Sequence, residues 1–356
     1  MRLRAWLETG RQAFERDLLD RWFAPRPPDL IDRLILRPLS ALVGPVARRR
    51  RQHVARQSPA KRPAVIVVGN LVAGGAGKTP LAIELARALT ERGWKVGMLA
   101  RGHRAALTGA RLVVPDDDPR MQGDEPVLLA RETGLPVACG IDRGQALALL
   151  ADRHPEIEVV ISDDGLQHGR LPRSLELAVF DERGAGNGRL LPAGPLREPL
   201  AHLAGMDAVL LRSPATGLRG LDAVAPGLPM FHFAVRPVGF VRLTDAATMV
   251  PIDVFRALAD GSAVHALAGI AQPERFFASL RESGVIARTT QALTDHAPAQ
   301  AAALPADAEL IVMTAKDAVK FAGLADARCW HLAVRACCEP ALIDWLEESL
   351  RGPSTH

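Results

Sequence analysis

The chain has little cysteine, and what it has is unorganised. Cys139, Cys329, Cys337 and Cys338 show neither paired metal-ligand spacing nor a disulfide framework, which points to reduced thiols in a cytosolic protein. No apolar run approaches the roughly 20 residues needed to span a bilayer. The opening Met1-Arg2-Leu3-Arg4-Ala5-Trp6 soon meets Glu8 and Asp17, so no cleavable signal peptide is expected. Internal repeats are absent, and the only biased tract is the alanine-rich 297–308. No recognised nucleic-acid-binding module accompanies the basic residues.

What is present is an ordinary globular composition, 48% apolar and 24% charged, in 356 residues, enough for two domains. The net charge of +4 hides an asymmetry. Residues 1–62 hold fifteen Arg or Lys against six Asp or Glu, so the rest of the chain sums to −5. Within this basic block, Leu3, Trp6, Leu7, Phe14, Leu18 and Trp22 follow helical spacing, and Pro25, Pro27 and Pro28 end the run. A second apolar stretch from Ile31 to Val43 leads into Arg48-Arg49-Arg50-Arg51. Such an amphipathic segment suits an interfacial membrane anchor, with apolar residues among the acyl chains and Arg at lipid phosphate. It equally suits a helix packed on its own domain. Nucleic acid is not the expected partner.

From Pro63 the pattern alternates strand and helix. Strands are predicted at Ala64–Val68, Lys95–Ala100, Pro136–Cys139, Val159–Ile161, Leu177–Phe180 and Asp207–Leu211, with helices at Pro80–Arg92 and Gly144–Arg153. This order predicts an α/β fold, a P-loop NTPase-type parallel sheet with helices on both faces over 63–225. A second, smaller α/β domain is expected over 226–356, with strands at Ala263–Leu267 and Glu309–Met313 and a helix at Pro273–Ser283. Phe231–Val235 and Gly239–Leu243 look like an extended pair forming the connection.

The chemistry is concentrated where the first strand meets the first helix. Gly74-Gly75-Ala76-Gly77-Lys78-Thr79 is a glycine-rich loop whose backbone N–H groups can approach phosphate oxygens at a helix N-terminus. Lys78 would span the β- and γ-phosphates and the Thr79 hydroxyl would ligate Mg²⁺. The full motif wants glycine at position 72, where this chain has Val72. A second motif, Val159-Val160-Ile161-Ser162-Asp163-Asp164, is an apolar strand ending in carboxylates that can hold Mg²⁺ directly or through water. Taken singly, the loop could be a glycine-rich turn and the carboxylates turn or cap residues; together they point to a nucleotide site. The Asn-Lys-x-Asp guanine reader is missing, since Thr314-Ala315-Lys316-Asp317 matches it only superficially.

Further strings accompany these motifs: Val68-Gly69-Asn70-Leu71 running into the loop and Thr79-Pro80, Gly123-Asp124-Glu125-Pro126, and Asp163-Asp164-Gly165-Leu166-Gln167-His168. Leu191-Pro192-Ala193-Gly194-Pro195-Leu196-Arg197-Glu198-Pro199 follows, then Ala268-Gly269-Ile270 with Pro273-Glu274-Arg275-Phe276, Asp295-His296, and Thr314 to Lys320. Together these strings resemble the tetraacyldisaccharide 4′-kinases of lipid A biosynthesis. The resemblance covers about 60–320 and implies transfer of the γ-phosphate of ATP to the 4′-hydroxyl of an acylated glucosamine disaccharide 1-phosphate. It implies a peripheral protein at the cytoplasmic face of the bacterial inner membrane.

The resemblance also implies residue roles. Asp124 matches the family's proposed base and His296 its dyad partner, while Asp163, Asp164 and Thr79 are the Mg²⁺ candidates. Arg197, Glu198 and Gln167, with Glu125 beside them, fall in strings expected near the nucleotide, alongside Gly74 to Lys78. The family's own loop lacks the glycine that Val72 replaces. Two departures stand: Arg101-Gly102-His103-Arg104-Ala105 where the family has Arg-Gly-Tyr-Gly-Gly, and Asp295-His296-Ala297 where it has a second His. The alternative reading from another class is a membrane-recruited P-loop ATPase switch with no small-molecule acceptor.

Overall fold

The computed structural model describes residues 17–24, 26–58, 61–102, 109–213, 224–294, 299 and 304–352. Its centre is one 13-stranded sheet. Six strands follow the first half of the chain: β1 (Ala64–Gly69), β2 (Val96–Ala100), β3 (Arg111–Val113), β4 (Val137–Cys139), β5 (Val159–Asp163) and β6 (Leu175–Phe180). Then come β7 (Ala208–Arg212), β8 (Met230–Arg242), β9 (Asp245–Val250), β10 (Val264–Ala268), β11 (Thr289–Ala292), β12 (Leu310–Thr314) and β13 (Cys329–Cys338). The spatial order is β11-β10-β12-β13-β8-β7-β6-β1-β5-β2-β4-β3, with β9 on β8.

Parallel pairing dominates, as the strand–helix alternation requires. β1 lies between β5 and β6, parallel to both, and every residue of β1, β5 and β6 is buried. Their near-continuous apolar runs are those of strands covered on both faces. The chain leaves β1 toward β2 on one side and later returns to β6 on the other, so β1 marks a switch point where a crevice opens at the strand ends. Helix Lys78–Glu91 covers one face through Leu81, Leu85 and Leu89, all fully buried. It begins two residues before the predicted start because Pro80 sits in its first turn, where no intrahelical N–H is needed.

The segments predicted as an extended pair at 231–243 are halves of one strand, β8. Its first residues, Met230–Phe233, run parallel to β7 and Phe233–Arg242 antiparallel to β13, so this pair joins the two parallel halves of the sheet. The register shifts between Ala333 and Val334, opposite the Pro237–Gly239 stretch, where proline cannot donate to the ladder. β10, β11 and β12 continue in parallel beyond β13. Helix Pro273–Glu282 covers that part through Phe276, Phe277 and Leu280.

Residues 17–23 are helical, and a longer helical stretch runs as a π-turn over Asp32–Leu36 and an α-helix over Arg37–Gln52. The N-terminal positions Leu3, Trp6, Leu7 and Phe14 lie outside the described residues. The second helix is inverted relative to a core helix. Its buried residues are Asp32, Ser40, Gly44 and Ala47, whereas Leu30 (72%), Leu34 (71%) and Leu42 (68%) are exposed, as are Ile31, Ile35, Leu39 and Val46. Small residues let it approach the Pro-rich loop: Ser40 Oγ donates to Leu190 O at 2.8 Å and accepts from Ala193 N at 3.0 Å. Arg51 closes its C-terminal end with a bidentate contact to the buried Glu176, at 2.6 and 2.5 Å. Among the described residues no helix is long and apolar enough to cross a membrane.

Candidate active site

The β1–β5 register places Val68 beside Asp163, so the loop leaving β1 and the carboxylates ending β5 emerge side by side. Gly74 (φ +111°) and Gly77 (φ +83°) take conformations that L side chains rarely adopt, which is the backbone reason for glycine at both positions. Lys78 opens the helix; its Nζ lies 3.1 Å from Asn70 Oδ1 and 3.4 Å from Asp164 Oδ1. Thr79 Oγ1 donates to Asp163 Oδ2 at 2.7 Å.

Val72 is no defect of the loop. It is 4% exposed and forms an antiparallel bridge with Leu196. Flanking it, Ala73 N donates to Pro195 O at 2.7 Å and Arg197 N donates to Leu71 O at 2.6 Å. An apolar residue at position 72 thus pins the Pro-rich loop against the phosphate loop and fixes where Arg197 and Glu198 stand. The side chains then link in series. Arg197 Nη1 lies 3.4 Å from Asp164 Oδ1 and 3.4 Å from Gln167 Oε1. Gln167 Nε2 donates to Asn70 O (3.2 Å) and Glu198 Oε1 (2.9 Å), and Glu198 Oε2 meets His202 Nδ1 at 3.0 Å.

The two carboxylates of β5 sit in opposite electrostatic states. Burial pushes the Asp163 carboxyl up to about 6, with Glu125 adding to the rise and Thr79 opposing it. Burial also disfavours the charge on Asp164, but Lys78, Arg197 and Arg143 outweigh it and hold that group well below the usual carboxylate range. Asp164 has φ +50°, the one positive φ outside glycine among the described residues, a conformation Asp tolerates better than most residues. His168 is pushed down to about 4 by burial, then by Arg143 and Arg101, and is neutral near pH 7.

Several of these groups line a cavity of about 590 Å³. It is lined by the loop Gly74–Thr79 with Asp163, Asp164 and Arg197, and by Ile270, Gln272, Arg275 and Phe276. Arg275 Nη1 donates to Gly75 O at 2.9 Å and Nη2 meets Asp181 Oδ2 at 3.0 Å and also Glu182. Helix Asp124–Thr133 adds Glu125, whose Oε1 pairs with Lys316 Nζ at 3.0 Å. Asp124 is buried (8%) at the first position of that helix, after Gly123 (φ +94°), and Glu125 rather than Asp124 lines the cavity. His296 lies outside the described residues, as do His103, Arg104 and Ala105. Lys320 serves local structure: its Nζ lies 2.6 Å from Asp317 Oδ1, while Asp317 Oδ2 accepts from Gly269 N at 2.8 Å.

Four arginines are new to the site. Arg275 had a signal, since it stands in the Pro-Glu-Arg-Phe string, but its reach to the phosphate loop depends on tertiary structure. Arg101 stands in the string that departs from the family, and it lines the cavity. Arg212 ends β7 and lines the cavity too. Arg143 is 1% exposed beneath β5, donating from Nη1 to Ser162 Oγ at 2.9 Å. Gly165 allows that approach, because a Cβ there would lie 2.9 Å from Arg143 Nη1.

Comparison with known proteins agrees with this arrangement. The sequence model of the tetraacyldisaccharide-1-P 4′-kinase family matches residues 33–351. The tetraacyldisaccharide 4′-kinase of Bordetella petrii is 42% identical over 325 residues, covering 89% of this chain and 91% of its own length. That of Dechloromonas aromatica is 44% identical over 290 residues, covering 81% and 84%. The crystal structure of LpxK from Aquifex aeolicus in complex with ATP superposes with a TM-score of 0.70 at 26% identity, over 88% of this chain and 98% of that one. Loop, carboxylates, flanking strings and fold all converge, and the chain belongs to the tetraacyldisaccharide 4′-kinase family.

Proposed function

We propose that this chain uses ATP to phosphorylate the 4′-hydroxyl of a tetraacyldisaccharide 1-phosphate lipid A precursor, in the cavity between the Gly74–Thr79 loop and Arg275. The observation that carries the reading is the shared position of Lys78 and Thr79 against Asp164 and Asp163 in one cavity. Lys78 is held at the loop's helix N-terminus by an amide oxygen and a carboxylate, ready to exchange the latter for a phosphate oxygen. Arg197, on the same carboxylate, is the second cation for that charge.

The donor set suits Mg²⁺. Asp163 Oδ1 is buried without a hydrogen-bond partner, next to a hydroxyl on its other oxygen. Among the described residues no group of three His, Cys, Asp or Glu could cage a metal. One carboxylate and one hydroxyl are what Mg²⁺ takes when phosphates and water complete its shell. When bound, the ion would draw charge from the β- and γ-phosphates.

Acceptor activation is assigned to Asp124. A sugar hydroxyl is a weak nucleophile, and a carboxylate within reach helps to take its proton. Asp124 stands in the first turn of its helix, and His296 is its partner in this proposal. The exposed apolar face of the helix over 30–52 supports docking on the inner membrane's cytoplasmic surface, where an acylated acceptor resides. In this reading residues 63–225 and 226–356 act as two lobes around the cavity.

A partner-switching ATPase needs only a positioned water, and membership of the kinase family speaks against it. The test is acceptor dependence. Mg·ATP consumption by the pure protein in detergent should rise steeply when a tetraacylated glucosamine disaccharide 1-phosphate is added. A rate indifferent to that lipid, with folded protein, would sink the reading.

A further inference from the structure

The end of β7 brings to the phosphate loop a cation that pairs with no side chain among the described residues. Arg212 lines the cavity, and a Cβ placed on Gly77 would lie 3.5 Å from its Nη1 and 3.6 Å from its Cδ. Among the described residues its side chain forms no hydrogen bond or ion pair. The acidic groups that could neutralise it are occupied: Asp181 is held by Arg183 at 2.7 Å and Arg275 at 3.0 Å, and Glu182 by Arg275. Burial and the neighbouring Arg275 both work against its charge, with Glu182 and Asp181 only partly offsetting them. A guanidinium kept in such a place is costly without an anion.

The loop, in turn, is short of a donor. A helix offers four free N–H groups at its start, and here the third residue is Pro80, which has none. The next amide, Leu81 N, already donates to Gly77 O at 3.3 Å. Of the four positions at the helix start, the Gly77, Lys78 and Thr79 amides are free of an acceptor within the helix, and the fourth is Pro80. The two deficits face each other across Gly77.

We propose that Arg212 binds a phosphate oxygen of the nucleotide at Gly77, replacing the backbone donor that Pro80 removes. The proposal rests on the Gly74–Thr79 loop being the ATP site. Its place beside Gly77 at the start of the helix assigns Arg212 to the nucleotide chain and not to the phosphate of the acceptor.

The test uses the full chain with Arg212→Gln and Arg212→Lys, titrated calorimetrically with Mg·ATP, ADP and adenosine. The KM for the tetraacyldisaccharide 1-phosphate is measured alongside. Losing a charge-assisted phosphate contact should weaken ATP and ADP about tenfold or more in Arg212→Gln. Adenosine affinity and the KM for lipid should stay at wild-type values, and Arg212→Lys should recover part of the loss. Unchanged adenosine binding also certifies the fold. Three outcomes would overturn the proposal: ATP and ADP unaffected; adenosine weakened as much as ADP, which marks a base contact; or a raised KM for lipid at unchanged nucleotide affinity. Lys78→Ala separates the premise from the inference. If that variant binds ATP as the wild type does, the site assignment itself fails; if only Arg212 proves silent, the inference alone fails.

Discussion

The nucleotide end of the sheet and the helix over 30–52 are built on opposite rules. At the ends of β1 and β5, apolar strands are buried completely and the polar groups gather into one partnered chain from Lys78 to His202. On the helix, the polar and small residues Asp32, Ser40 and Gly44 face the protein while Leu30, Leu34 and Leu42 face outward. A core satisfied by its own packing needs no further partner. A helix that exposes its leucines does, since contiguous apolar surface of this kind marks an interaction face. The first region is where polar groups are held still; the second leaves an apolar face exposed, which the proposed function turns to the membrane.

That contrast can be broken by changing each region and reading the property of the other. The largest effect is expected from Lys78→Ala, which should lower kcat/KM by about two to three orders of magnitude while leaving vesicle binding intact in a flotation assay. Asp124→Asn follows, with kcat depressed roughly a hundredfold or more and ATP affinity nearly unchanged by calorimetry. Equal loss of ATP affinity in both variants would contradict the roles given to them.

Asp163 supplies a pH test within the buried region. Its carboxyl is raised to about 6 by burial, so the folded, ligand-free protein holds the proton more tightly than the unfolded chain does. The stabilising effect of that proton is complete below the ordinary carboxylate value and disappears as pH rises through about 6. Asp163→Asn has no such proton to lose. Its stability advantage in urea unfolding should therefore grow between pH 4 and 7, by on the order of 2 kcal/mol. A difference independent of pH would refute the buried-carboxylate account. The smallest effect is expected at the helix, where Leu34→Ser or Leu42→Ser should reduce partition onto anionic vesicles by about tenfold each. Turnover in detergent should be unaffected. Partition that stays at the wild-type value would detach this face from the membrane.

What could be read beforehand follows the range of the forces involved. Gly74–Thr79 and Asp163-Asp164 were legible because strand, loop and helix are consecutive and their chemistry is carried by local backbone geometry. The parallel sheet was legible for the same reason. β13 was not, because Cys329–Cys338 becomes a strand by pairing with β8, some ninety residues earlier in the chain. Arg212 and Arg143 are ordinary surface arginines by sequence, and only tertiary structure turns them inward. The orientation of the helix over 30–52 was likewise invisible. Its periodicity announced two unlike faces, but which of them packs was decided by Ser40 and Gly44 against Leu190.

The most direct measurement follows the γ-phosphate itself. ATP labelled at that position is incubated with the full chain, Mg²⁺ and the tetraacylated disaccharide 1-phosphate in detergent, and the lipid is extracted for linkage analysis. The account predicts label on the lipid, esterified at the 4′ position, and none with Lys78→Ala. Label recovered only as inorganic phosphate, with the lipid unmodified, would contradict it.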